Sequence, residues 1–102
     1  MAGQDEAGRL LGVTPEVIET RVATRALLGL RHPHLGLRLP RWQFAEPIRS
    51  AIPRLFLGLG TTEPWALLLW LETPLDALSG RTPRVAIEQG DVERAQVLAR
   101  GE

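Results

Sequence analysis

At 102 residues and 11.3 kDa the chain is the size of one ordinary domain, or of two very small units packed together, and 44% of it is apolar. It has no cysteine, which excludes a disulfide framework, a thiolate nucleophile and a cysteine-based metal site, and fits a reducing cytoplasm. Its formal charge is zero but unevenly placed: Arg21 to Arg54 carries seven arginines against the single acid Glu46, while Leu55 to Glu102 carries four arginines against seven acids.

A basic first half can meet an anionic partner such as nucleic acid, and it can equally be a solvated face. Every basic residue is arginine, a bias of the kind a GC-rich genome produces, so a single arginine is a weak signal. The longest apolar run, Trp65 to Leu71, is far short of the ~20 residues that span a bilayer. The N-terminus MAGQDEAGRL lacks the basic and then apolar pattern of a signal peptide. The expectation is a soluble cytoplasmic protein without a membrane partner. Its thin core favours a homodimer, or a hetero-oligomer with a partner protein.

In chain order, Gln4 to Leu11 reads as a short helix with Ala7, Leu10 and Leu11 on one side and Gly12 just past its end. Thr14-Pro15-Glu16 starts a second helix: threonine offers the cap oxygen, proline loses nothing at the first position, and glutamate complements the positive dipole end. Val17, Ile18, Val22 and Ala26 recur at helical spacing as its inner face. Leu28 to Arg31 and Leu35 to Leu39 then alternate around His32-Pro33-His34, the pattern of a β-hairpin.

A third helix runs from Glu46, with Ile48, Ile52, Leu55, Phe56 and Leu59 as a core-facing stripe, Pro53 as a kink, and Gly58 and Gly60 as its end. Thr61-Thr62-Glu63-Pro64 opens a fourth. Its body, Trp65 to Leu71, is apolar all round, which predicts a helix surrounded by protein. Thr73-Pro74 stops it, Ser79-Gly80 turns, and Thr82-Pro83 starts a helix ending at Gly90. Asp91 is placed to cap a last helix with Val92, Ala95 and Leu98 or Ala99 inward, a helix expected to fray without a partner.

Catalytic patterns are weak. His32 and His34 share one turn, with no other histidine or cysteine to complete a metal site. Ser50 and Ser79 lack a nucleophile elbow, and Gly58-Leu59-Gly60 is too short to cradle phosphate. The sequence implies no enzyme, cofactor or metal. Trp42, Trp65 and Trp70 are each candidates for core or for interface.

Two resemblances follow from these residues. The order helix, turn, helix, hairpin and Arg41-Trp42-Gln43-Phe44 resembles the small winged-helix DNA-binding units of the excisionase and MerR type, over about residues 5–44. That resemblance implies phosphate contacts from Arg21, Arg25, Arg31, Arg38 and Arg41. Trp70-Leu71-Glu72-Thr73-Pro74, Leu78, Gly80-Arg81-Thr82-Pro83 and Glu88-Gln89-Gly90-Asp91 resemble the C-terminal toxin-binding domain of the Xre, MbcA and ParS group of bacterial antitoxins. Leu75 stands where that family often has asparagine after the first Thr-Pro.

The second resemblance implies an antitoxin of a type II toxin–antitoxin pair that blocks a RES-type NAD-degrading toxin and binds its own operator DNA. Arg81, Arg84, Glu88, Asp91, Arg94 and Arg100, projecting from the last two helices, are the expected toxin contacts. The alternative is a small DNA-binding regulator without a toxin. The expected fold is mainly α: a winged helix-turn-helix unit over residues 1–44, then a compact helical toxin-binding domain over 45–102.

Overall fold

A computed structural model of the chain describes residues 1–101; Glu102, the last residue of the expected C-terminal unit, lies outside them. The described residues form six α-helices and one three-stranded antiparallel sheet, so the chain is mainly helical. Its first half contains β1 (Ala2–Gly3), α1 (Gln4–Leu11), α2 (Pro15–Ala23), β2 (Leu30–His32) and β3 (Gly36–Leu39). A 3-10 turn at Arg41–Phe44 leads into α3 (Ile48–Leu59), α4 (Pro64–Leu71), a second 3-10 turn at Asp76–Leu78, α5 (Pro83–Glu88) and α6 (Val92–Ala99).

Helix α1 ends where expected, at Gly12 in the left-handed region with φ 70°. Its inner face differs from expectation: Ala7 and Gly8 are buried, while Leu10 is exposed. The turn into α2 lies so close that a Cβ on Gly8 would stand 2.7 Å from the Val13 carbonyl oxygen, and a leucine has no room there. In α2 the Thr14 Oγ1 accepts from the Val17 N–H at 3.3 Å, with Pro15 at the first position. Ile18 and Val22 point inward; Val17 is exposed, and Ala26 falls beyond the helix end.

The hairpin pairs Leu30 with Arg38, Arg31 with Leu37 and His32 with Gly36. His32 Nδ1 accepts from the backbone N–H groups of His34 and Leu35, both at 3.1 Å, so this ring serves the turn. The other edge of β3 is covered by β1, pairing Ala2 with Leu39 and Gly3 with Arg38. Two residues carry no readable periodicity, and this strand was not expected.

Helix α3 buries Ile48, Ile52, Leu55 and Phe56 and continues through Pro53. Gly60, at φ 67°, ends it, whereas Gly58 remains inside it. A Cβ at Gly58 would lie 3.2 Å from the Cβ of Ala99, so this glycine lets α6 pack closely on α3. The expectation of a fraying last helix is therefore corrected: Ala95 and Ala99 are buried in the core. Asp91 does not cap α6 with its side chain, because its carboxylate is bound to Arg81.

Two hydrophobic clusters result. One gathers Ala7, Ile18, Val22, Leu27, Leu37 and Leu39; the other is built from α3, α4, α5 and α6 around Ile52, Leu55, Phe56, Leu67, Leu71 and Ile87. Neighbours in the chain serve both, since Leu27 belongs to the first and Leu28 to the second, and Phe44 packs on the first while Trp42 packs on the second.

Two surface carboxylates are expected to add acid sensitivity to the fold. The Arg41 guanidinium bonded to Glu6 holds that carboxyl below the usual range, and the hydroxyl and backbone N–H of Ser50 do the same for Glu46, aided by Arg49. Both pKa values are depressed on folding, so their stabilisation is complete above the unfolded glutamate pKa of ~4.3 and is lost as pH falls through the lower folded values. Denaturant midpoints are expected to decline below that range. Glu6→Gln together with Glu46→Gln is expected to flatten the decline, and an unchanged profile in that variant would assign acid sensitivity to other groups.

Candidate protein-binding surface

The charged residues expected at the toxin contact come together, but mainly with one another. Arg84 Nε donates to Glu72 at 2.6 Å and its Nη1 to Glu88 at 3.1 Å, with the guanidinium carbon 5.5 Å from the centre of the Trp42 ring. The hydrogen bond to Glu72 raises the Arg84 pKa further, so the group stays charged. Arg81 donates to Asp91 and to Gln89, each at 2.8 Å, and to the Leu78 carbonyl at 2.9 Å. Arg94 reaches across to the Ala77 carbonyl at 2.8 and 3.1 Å.

These bonds brace the turn after α4 against α5 and α6. Arg81, in that turn, ties it to Asp91 at the start of α6, Arg94 of α6 holds its Ala77 carbonyl, and Arg84 of α5 reaches Glu72 at the end of α4, while Glu88 pairs with Arg84 within α5. Exposed ion pairs of this kind contribute about 0–1 kcal/mol each. Arg100 lies elsewhere, beside Gly58 in a groove between α3 and α6.

The arginines expected at DNA are also engaged, apart from Arg21, whose guanidinium has no bonded partner among the described residues. Arg25 adopts φ 68° and donates to the Thr62 carbonyl at 2.7 Å and to the Ala23 carbonyl at 2.8 Å, closing the end of α2 and tying it to the loop before α4. Arg31 is bound to Glu19, Arg41 to Glu6 at 2.7 and 2.9 Å, and Arg38 to the Leu35 carbonyl at 3.2 Å. The outer side of α2 carries Glu16, Val17 and Thr20. A carboxylate there opposes phosphate approach.

The surface least expected from the sequence is α4. Only Leu67 and Leu71 are buried; Trp65 is 65% exposed and Leu69 61% exposed, four residues apart on one face. The helix is thus not surrounded by protein, which corrects the sequence expectation. A helix apolar all round needs neighbours on every side, and α4 contacts only α3 and α5 substantially. Beside Leu69 an apolar groove of about 410 Å³ is walled by Leu59, Ala66, Trp70 and Leu75.

Trp65 also forms the rim of a second cleft, where Arg25, Arg31 and Glu63 converge. Among the described residues no group of three His, Cys, Asp or Glu side chains is placed to share a metal ion, and no helix is long and apolar enough to cross a membrane. No family model, curated protein or solved structure matches the chain.

Proposed function

We propose that this chain is a partner-binding protein of antitoxin type, which binds and neutralises a RES-type NAD-degrading toxin through residues 45–102. The exposed Trp65 and Leu69 carry this reading. Large apolar side chains standing on a rigid helix beside an apolar groove are the residue types that dominate interface energy. The braces of Arg81, Arg84 and Arg94 would hold that helix and its following turn rigid, lowering the ordering cost of association. The contact thus centres on α4, with the charged residues of α5 and α6 as supports and rim.

The test is binding to a RES-type toxin, taken from the neighbouring gene where that gene encodes one. Trp65→Ser with Leu69→Ser is expected to weaken its binding about a hundredfold, as loss of two anchors does. The melting temperature should stay level, because neither side chain is part of the core. Calorimetric titration and a toxin NAD-depletion assay read the two effects. Full inhibition by this double variant would remove α4 from the contact.

A second reading, operator binding by residues 1–44 as a winged helix-turn-helix, draws on the α1–α2 pair and the three-stranded sheet beside it. Binding to DNA upstream of the gene is then expected to fall steeply with salt. Arg21→Ala should weaken it and lower the salt slope by about one. Absence of binding at low salt ends this reading.

A further inference from the structure

The exposed side of α4 carries both halves of one fit. Trp65, Leu69 and Thr73 follow one another at four-residue spacing, and all three are exposed. Trp65 and Leu69 are the projections. The apolar groove lies beside Leu69 and takes in Trp70, Thr73 and Leu75 toward the C-terminal end of the helix. At 1.5 Å per residue, Trp65 stands about 6 Å before Leu69 and Thr73 about 6 Å after it. The Thr73 hydroxyl is bonded to the Leu69 carbonyl at 2.6 Å, so its donor asks nothing of an occupant.

That spacing has a symmetry. When a second α4 lies antiparallel across the first, with a two-fold axis at Leu69, Trp65 of each copy meets Thr73 and the groove of the other, and Leu69 meets Leu69. An isologous contact needs one patch complementary to itself, and a projection and a groove at equal distances from one residue meet that condition. An unrelated surface has no reason to carry both at this spacing.

The charges are compatible with it. No residue lining the groove is charged. Of the carboxylates without an ion pair, Asp5, Glu16 and Glu93 lie on α1, α2 and α6, outside the lining, while Glu63 and Asp76 flank α4 at opposite ends. The two-fold arrangement brings Glu63 of one copy toward Asp76 of the other, a like-charge meeting. Arg25 stands at that end as the counter-charge: its guanidinium donates to the Thr62 carbonyl at 2.7 Å and is bonded to carbonyls only.

We propose that α4 is a homodimer interface, in which a second copy of this chain seats its Trp65 in the groove beside Leu69 of the first. Where α4 also binds the toxin, the dimer must open first, and self-association regulates that site; this consequence alone rests on the toxin reading.

Sedimentation of the full chain without toxin is expected to show a monomer–dimer equilibrium with a Kd of about 10–100 µM, the range of a small contact. Trp65→Ser with Leu69→Ser should leave only monomer. Below that Kd its melting temperature should match the parent's, because both are then monomers. The chain has no cysteine, so Leu69→Cys places a single thiol on the axis, and mild oxidation should join two copies through it. Leu57→Cys, equally exposed but on α3, should not join them. Glu63→Arg, whose native side chain makes no cap bond, should tighten the dimer about threefold by facing Asp76, and adding Asp76→Arg should reverse the gain.

A chain that stays monomeric to about 1 mM, a double-serine variant that dimerises undiminished, linkage at position 57 rather than 69, or weaker association of Glu63→Arg overturns the proposal. Toxin binding by a chain that never dimerises removes the dimer and leaves the toxin reading. A dimer in a chain that binds no toxin supports the dimer and removes that reading.

Discussion

Gln43→Leu is expected to destabilise the fold by roughly 3–5 kcal/mol, one of the largest losses available to a single side chain here. Gln43 is 0% exposed. Its Oε1 accepts from the Leu28 N–H at 2.7 Å, and its Nε2 donates to the Leu28 carbonyl at 2.6 Å and to the Pro40 carbonyl at 3.2 Å. The amide thus pairs with both backbone groups of Leu28, as a neighbouring strand would. Leucine restores apolar bulk but leaves those groups buried without partners, at about 1–3 kcal/mol each. Leu27 and Leu28 face opposite clusters, so loosening this point affects both.

Gln43→Glu refines the test. A carboxyl there keeps an acceptor for Leu28 N–H, but only its protonated form has a donor for a carbonyl, and burial raises its pKa. With the folded pKa above the unfolded one, the variant should be most stable below the unfolded value and lose stability as pH rises through the folded value. Urea midpoints across pH measure both variants. A loss under ~1 kcal/mol for Gln43→Leu would show that the amide does not hold Leu28 in place.

Two helix caps were legible in the sequence, because a cap is a local event, whereas the caps expected from Thr61-Thr62 for α4 and from Asp91 for α6 do not form: Glu63 holds the α4 position without a side-chain bond. Thr14-Pro15 and Thr82-Pro83 each place a hydroxyl where the N–H of Val17 or Val85 needs it. The α3 stripe was legible for the same reason, since residues four apart share a face in any helix. Gln43 was not, because a glutamine between Trp42 and Phe44 reads as a surface polar group until the fold brings Leu28 against it.

Helix α4 misled for a related reason. Its composition states what the helix tolerates, while its exposure depends on how many other elements the chain can set around it. The arginines were misplaced by the same limit. Arg81, Arg84 and Arg94 were expected to point outward, yet their partners Asp91, Glu72 and the Ala77 carbonyl are 10 to 17 residues away, beyond any local pattern. Sequence placed Arg84 and Arg94 on the last two helices, as found, but Arg81 lies in the loop before α5; the long-range partners of all three depend on the folded turn after α4.

Deleting residues 91–102 is expected to unfold the C-terminal half rather than trim a detachable binding arm. Ala95 and Ala99 lie in the same cluster as Ile52, Leu55 and Phe56, and their small size, with Gly58 opposite, lets α6 approach α3 closely. Without α6, that side of α3 faces water. The truncation also removes Asp91 from Arg81, and Arg94 from the Ala77 carbonyl, leaving the turn after α4 unbraced. The loss should exceed ~5 kcal/mol, the low end of whole-domain stability, and so abolish the cooperative transition. Circular dichroism melts and amide exchange in α3 provide the measurement. A truncated chain that melts cooperatively near the full-length temperature, with α3 still protected, would show that α6 is an appended arm. If the truncation unfolds as expected, its failure to inhibit a toxin says nothing about contact, and only surface changes such as Trp65→Ser or Leu69→Ser can locate the partner.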